Sequence, residues 1–365
     1  MLCEMKTNFP VLTSLRGLAA WAVVFYHFRL EIGLDHWPAL QSMIGWGYLA
    51  VDLFFIMSGF VIALTAGSRL RRPQWRTAVQ FWGFRLARIY PLHLIVLLAM
   101  LINPVAIHVF SATHGVDQRY DPAYFLQSLV LVQNWGFTTR LAWNVPAWSI
   151  STEWAAYLCF PALAWLVGQV VTTRERACIL ILGTLMVAGL LGQHWGGLGA
   201  DIPKDGLPRC IMEFTLGVLV HQLWALRGTW RWSGDLVMGA GLMLVVLGAV
   251  MDAPDYAFAP AAFVLLVGGA LQDGALPRAL THRALVVLGE VSFSTYIAHY
   301  FVRDWVKFVL IRPAIPMPLA FIAYVMLTAL ASVVLYRWVE LPSRAASRRL
   351  ILAALDRPLP IRPIL

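Results

Sequence analysis

Arg16 and His27 stand eleven residues apart in LTSLRGLAAWAVVFYHF, a stretch otherwise apolar enough to cross a bilayer. At about 100° per residue the two side chains return to nearly the same helix face after about three turns, some 16 Å apart along the axis. They are placed to line one wall of a buried tunnel. Ionisable groups inside a bilayer are costly and usually face a protein interior or a water-filled path, so the pair reads as a functional site. The competing reading is structural: Arg16 snorkels to the interface and His27 caps the far end.

Other polar residues fall in apolar stretches at related depths. Asp52 opens YLAVDLFFIMSGF at a level comparable with His27, where a carboxylate can orient an imidazole and stabilise its protonated form, or can cap the helix start. PAWSISTEWAAYL holds Trp148, Ser149 and Glu153; capping accounts for Ser149, whereas Glu153 lies too deep for that role. In SFSTYIAHYF, Ser292, Tyr296 and His299 recur at four and three positions and share a face. FRLARIYPLH places Arg85 and Arg88 three apart on one helical face, beside Tyr90. Two arginines so spaced can grip phosphate groups, although basic helix ends facing anionic lipid are common. Arginines on the cytoplasmic side, Arg16 at intermediate depth and a histidine with acids further out suit a phosphate-bearing donor reaching a general base within the membrane.

The elements that must position these residues are membrane helices. The chain has 365 residues, of which 60% are hydrophobic and 13% charged, a composition that excludes a soluble enzyme. Windows of spanning length fall at 12–30, 46–66, 89–110, 147–170, 177–193, 208–226, 235–252, 256–272, 284–309 and 317–338, predicting an all-α, polytopic protein of about ten transmembrane helices. The net charge of +9 reflects basic loops, such as those holding Arg71 and Arg76, Arg174 and Arg176, or Arg227 and Arg231, and not a nucleic-acid surface. That bias puts both termini in the cytoplasm, with an uncleaved first helix rather than a signal peptide. FLQSLVLVQNW (125–135) is apolar but too short to span, and reads as an interfacial, re-entrant or buried helix. The cysteines have no paired spacing, so neither a disulfide framework nor a metal site is implied. Residues 1–345 read as one membrane-embedded domain and 346–365 as a short basic cytoplasmic tail.

The stretch from Arg16 to His27 resembles the RX10H signature of the acyltransferase 3 family of integral-membrane acyltransferases, and the resemblance continues in order through VDLFFIMSGFVI, RLARIYPLH, WSISTEWAAYL, SFSTYIAHYF and YRWVELP. It implies transfer of a short acyl group, usually from acyl-CoA, to a hydroxyl of a surface carbohydrate or a small molecule. Carried over, the histidine role falls on His27 and the arginine roles on Arg16, Arg85 and Arg88. The tryptophan-serine-acid motif falls on Trp148, Ser149 and Glu153. This chain has Trp154 and Ala155 where the family often continues with a second acid or Gln, which leaves that second position without a counterpart.

The expectation is an O-acetyltransferase of the bacterial inner membrane that uses acetyl-CoA and acts on an exopolysaccharide or O-antigen unit, a lipid-linked glycan among the acceptors. His27 is general base or transient acyl carrier, oriented by Asp52 or Glu153. Arg85, Arg88 and Tyr90 bind the donor, and Trp148, Ser149, Tyr296 and His299 line the substrate site. The rival classes are a proton-coupled transporter, for which the internal symmetry is lacking, and an assembly scaffold whose polar residues serve helix association.

Overall fold

Proline-led helix starts punctuate the chain. In the computed structural model, which describes residues 9–32, 37–72, 74–110, 118–228, 231–311 and 315–355, α1 (Pro10–Phe28) and α2 (Pro38–Gly45) both begin on proline, whose missing N–H is unneeded in a first turn. A 3-10 turn leads from α2 into α3 (Ala50–Ile62), which a π-turn joins to the single turn α4 (Ser68–Leu70). Next come α5 (Trp75–Ala99), α6 (Ile102–Phe110), α7 (Pro122–Leu129) and α8 (Trp148–Val170). The chain continues through α9 (Arg174–Trp195), α10 (Ile202–Ala225), α11 (Gly234–Val250) and α12 (Asp255–Ala270). It ends with α13 (Ala275–Ala279), α14 (Arg283–Glu290), α15 (Ser292–Leu310), α16 (Met317–Leu335) and α17 (Leu341–Leu355). Among the described residues every regular element is helical.

All ten hydrophobic windows fall on helices, but fewer meet the length and polarity of a full span. Six do so (Pro10–Phe28, Leu40–Leu70, Trp75–Phe110, Val145–Val170, Arg174–Trp195 and Met317–Ile351), and a seventh follows if α14 and α15, bent by 62°, form one broken span. At 17 and 16 residues, α11 and α12 reach about 25 Å, short of the roughly 30 Å hydrocarbon layer. α10 is long enough but carries Lys204, Asp205, Arg209 and Glu213 in its first half. The polytopic membrane architecture stands, with fewer certain spans than ten. On α9 and α16 only 22% of the apolar window is buried. Ile179, Leu182, Met186 and Leu190 therefore face outward, as side chains against lipid must.

Apolar side chains gain little by leaving lipid for another helix, so close backbone approach carries the packing. Gly59 of α3 and Gly217 of α10 supply it: a Cβ on Gly59 would lie 2.0 Å from the Phe214 carbonyl oxygen, and one on Gly217 would lie 1.9 Å from that of Ile56. Gly59 of the SGF segment therefore serves helix packing. Gly289 likewise lets α14 meet α1, since its Cβ would stand 1.8 Å from the Thr13 carbonyl oxygen. These contacts hold α3 against α10 and α1 against α14 around the polar interior.

The short apolar stretch at 125–135 forms helix only in part. Asp121 accepts from Ala123 N–H to start α7, which stops at Leu129; Leu131 then turns with a φ of 59°. This turn buries Gln133 and Asn134, and Asn134 N–H donates to Ser151 Oγ of α8 at 3.2 Å. α17 extends across residues 345 and 346 to Leu355, and residues 356–365 of the expected tail lie outside the described residues.

Candidate functional site

Three arginines converge without a hydrogen-bond or ion-pair partner among the described residues. Arg16 of α1 and Arg85 and Arg88 of α5 line a cavity of about 140 Å³ together with Ser58, Ser149, Glu153, Tyr157, Ser292 and Tyr296. Arg85 and Arg88 share a face because three residues along a helix nearly complete a turn. None of the three guanidiniums has a hydrogen bond or ion pair among the described residues, and Arg85 Nε is both buried and unsatisfied. Glu153 is the one carboxylate on the cavity wall, and it accepts from the hydroxyls of Ser58 and Tyr157. Three positive groups against one negative leave the wall with two uncompensated charges. Buried donors left idle cost free energy unless an acceptor arrives, and fork-shaped guanidiniums match phosphate or carboxylate oxygens. The chemistry of the cavity wall suits an anion.

Tyr296 connects this cavity to a pair of histidines. Its hydroxyl meets Ser149 Oγ at 2.8 Å and donates to the Pro146 carbonyl at 3.0 Å. One turn further along α15, His299 Nδ1 lies 2.6 Å from the Tyr296 carbonyl, and His299 Nε2 lies 3.1 Å from His27 Nδ1. His27 Nδ1 also lies 3.0 Å from the Val23 carbonyl. Carbonyls only accept, so the network assigns a proton to Nδ1 of each ring. His299 Nε2 then accepts from His27, and His27 Nε2 keeps its lone pair free.

This geometry redraws part of the expected site. His27 is oriented by His299 and a backbone carbonyl, not by Asp52 or Glu153, and it stands beyond Tyr296 rather than on the cavity wall. Asp52 neither reaches His27 nor caps its helix; it is fully buried against Arg209, with Nε donating to Oδ1 at 2.7 Å and Nη2 pairing with Oδ2. Glu213 stands 3.8 Å from the same guanidinium. Ser149 lies in the first turn of α8 and donates back to the Pro146 carbonyl at 3.1 Å, instead of capping. Trp148 faces Arg209, 5.8 Å from its ring centroid, and Phe55, so it does not line the cavity. Tyr90, about 140° round the helix from Arg85, sits beside His93 instead of in the cavity. Ser292, Tyr296 and His299 do share one buried face.

Several partners escaped the sequence reading. Tyr157, four residues after Glu153 and on the same face, was signalled by spacing alone. Arg209 and Glu213 were signalled as ionisable residues inside an apolar window, where a partner is required. Ser58 had no comparable signal.

Fold and site together define an integral-membrane helical protein with a buried, cationic polar site. The chain belongs to the acyltransferase 3 family: the family model, described as an acyltransferase domain, matches residues 10–337. It is accordingly an acyltransferase and takes an acyl donor. It is 29% identical to acyltransferase MdmB of Streptomyces mycarofaciens over 80% of this chain and 78% of that protein. It is 23% identical to O-acetyltransferase OatA of Staphylococcus aureus over 92% of this chain, spanning 57% of that longer protein. A third relative, protein 2 in the picA locus of Rhizobium radiobacter, is 32% identical over 48% of this chain and 94% of its own length. No solved structure matches the chain.

Proposed function

We propose that this protein is an O-acetyltransferase of the bacterial inner membrane, moving an acetyl group from cytoplasmic acetyl-CoA to a hydroxyl of a cell-surface carbohydrate, an exopolysaccharide or O-antigen unit in free or lipid-linked form. The observation that carries this reading is the set of three unpartnered guanidiniums, Arg16, Arg85 and Arg88, in a cavity one tyrosine away from the histidine pair. The O-acetyl chemistry is supported by the name of the staphylococcal relative.

Arg85 and Arg88 hold the donor's phosphates, and Tyr90 has no direct part. The thioester lies past Tyr296, toward His27. His27 Nε2 takes the proton of the acceptor hydroxyl as its oxygen attacks the thioester carbonyl. Arg16, on the wall of the same cavity, joins Arg85 and Arg88 in holding the donor. When the tetrahedral intermediate collapses, the C–S bond breaks, the CoA thiolate leaves, and the proton passes from His27 to the sulfur. His299 holds His27 in the tautomer that leaves Nε2 free. In this reading 1–345 forms the catalytic membrane domain, 346–365 is the cytoplasmic tail, and no metal takes part.

The test is acyl transfer by the purified protein in lipid nanodiscs, with acetyl-labelled CoA and envelope glycans from a strain lacking the gene. Label should enter the glycan with wild-type protein and not with His27→Ala. Equal labelling by both proteins, or uptake of glycan into vesicles without any acetyl transfer, overturns the reading.

A further inference from the structure

Helix α15 passes a second cavity on the far side of the histidine pair. Tyr296 opens on the arginine cavity three residues before His299, while Asp304 stands five residues after it, about 7.5 Å further along the axis. This second cavity measures about 250 Å³, and its walls include Asn103, Arg119, Tyr120, Asp304, Trp305, Lys307 and Phe308. Tyr300 links it to the reacting centre: its ring centroid is 5.4 Å from that of His27, and it packs against the cluster that contains Tyr120.

Two buried polar atoms in these walls are unspent. Asn103 is only 5% exposed, yet its Oδ1 has no partner, and Trp305 Nε1 has none either. One is an acceptor and the other a donor; a hydroxyl can serve either, whereas an ionised carboxylate or phosphate can serve only Trp305 Nε1. Asp304 adds acceptor capacity, its contacts to Asn103 Nδ2 and to Arg303 being long at 3.5 Å, and its charge opposes that of Arg119 in the same walls. Lys307 is already committed to Glu31. Tyr120, Trp305 and Phe308 give the cavity aromatic walls, with Trp305 and Phe308 packed edge to face at 5.9 Å. The volume is below the roughly 300–1,000 Å³ of pockets for drug-sized ligands, which suits one sugar ring.

We infer that this cavity is the acceptor site and takes a single neutral pyranose unit, its ring against the aromatic walls and its hydroxyls on Asn103 Oδ1, Asp304 and Trp305 Nε1. The inference rests on the proposed acetyl transfer and adds to it the place and chemical class of the acceptor. The donor and acceptor cavities then flank His27 and His299 along one helix, so that the two substrates meet from opposite sides.

The experiment uses full-length protein in lipid nanodiscs. Methyl glycosides of glucose, galactose and rhamnose are titrated by saturation-transfer NMR, and acetyl-CoA binding is measured in parallel. The variants are Asn103→Leu, which removes the acceptor, and Trp305→Phe, which keeps an aromatic ring and removes the N–H. At least one glycoside should bind the wild type and bind each variant tenfold or more weakly, with acetyl-CoA binding within twofold throughout. Glycoside binding that is absent, or equal in wild type and variants, overturns the acceptor site while retained acetyl-CoA binding leaves the proposed function standing. Loss of acetyl-CoA binding in the wild type overturns the proposed function itself.

Discussion

His299 Nε2 lies 3.1 Å from His27 Nδ1, and each imidazole also turns its Nδ1 toward a backbone carbonyl, Tyr296 for His299 and Val23 for His27. A histidine thus occupies the orienting place that a carboxylate takes in many catalytic pairs. Because neither carbonyl can donate, the arrangement leaves His27 Nε2 as the basic nitrogen.

His27→Ala should lower acetyl transfer by about 10²–10⁴-fold, the range for loss of a general base, with protein abundance near that of the wild type. His299→Ala should cost about 10²-fold through misplacement of His27. In His299→Gln the side-chain oxygen can accept from His27 Nδ1, so that variant should recover a measurable part of the rate. A Gln variant no better than Ala would remove the orienting role.

Arg85→Ala and Arg88→Ala should each raise the KM for acetyl-CoA by about 10- to 100-fold, since a hydrogen bond to a charged group is worth about 1.5–3 kcal/mol. Lysine at either position keeps the charge and loses the fork, so its KM should fall between those of wild type and alanine. Tyr90→Phe should leave this KM unchanged because Tyr90 lies outside the cavity.

Asp52 and Arg209 predict a stability effect. Removing the Arg209 guanidinium strands the buried Asp52 carboxylate and costs about 3–5 kcal/mol. Arg209→Met should therefore lower the thermal unfolding temperature in detergent sharply, and adding Asp52→Leu should restore part of it. A wild-type melting curve for Asp52→Leu with activity abolished would instead return Asp52 to the reaction.

Gly217→Ala should also destabilise, because its Cβ would stand 1.9 Å from the Ile56 carbonyl oxygen. Overpacking of this kind costs about 1–3 kcal/mol or more, and a melting curve in detergent reads it directly. Gly239→Ala, with no heavy atom near the added Cβ, is the matched control.

Much of the architecture and the principal residues can be read from the chain alone. Apolar runs must become helices where no water can bond the backbone, so every hydrophobic window lies on a helix. Ionisable residues inside those runs mark a polar interior, which places Arg16, Glu153 and His299 on interior-facing surfaces. Helical periodicity puts Arg85 beside Arg88 and aligns Ser292, Tyr296 and His299. Spacing along one helix, however, is silent about which other helix faces it and at what rotation. That is why Asp52, level with His27 by depth, turns instead to Arg209, and why His27 meets His299 from a helix more than 270 residues later. Partner choice was decided by close approaches such as Gly59 with Phe214 and Gly217 with Ile56, which set the crossing of α3 and α10 and aim Asp52 at Arg209. Periodicity specifies the face a residue occupies; only the packed bundle specifies what that face meets, because the contact depends on the rotation and offset of two helices together.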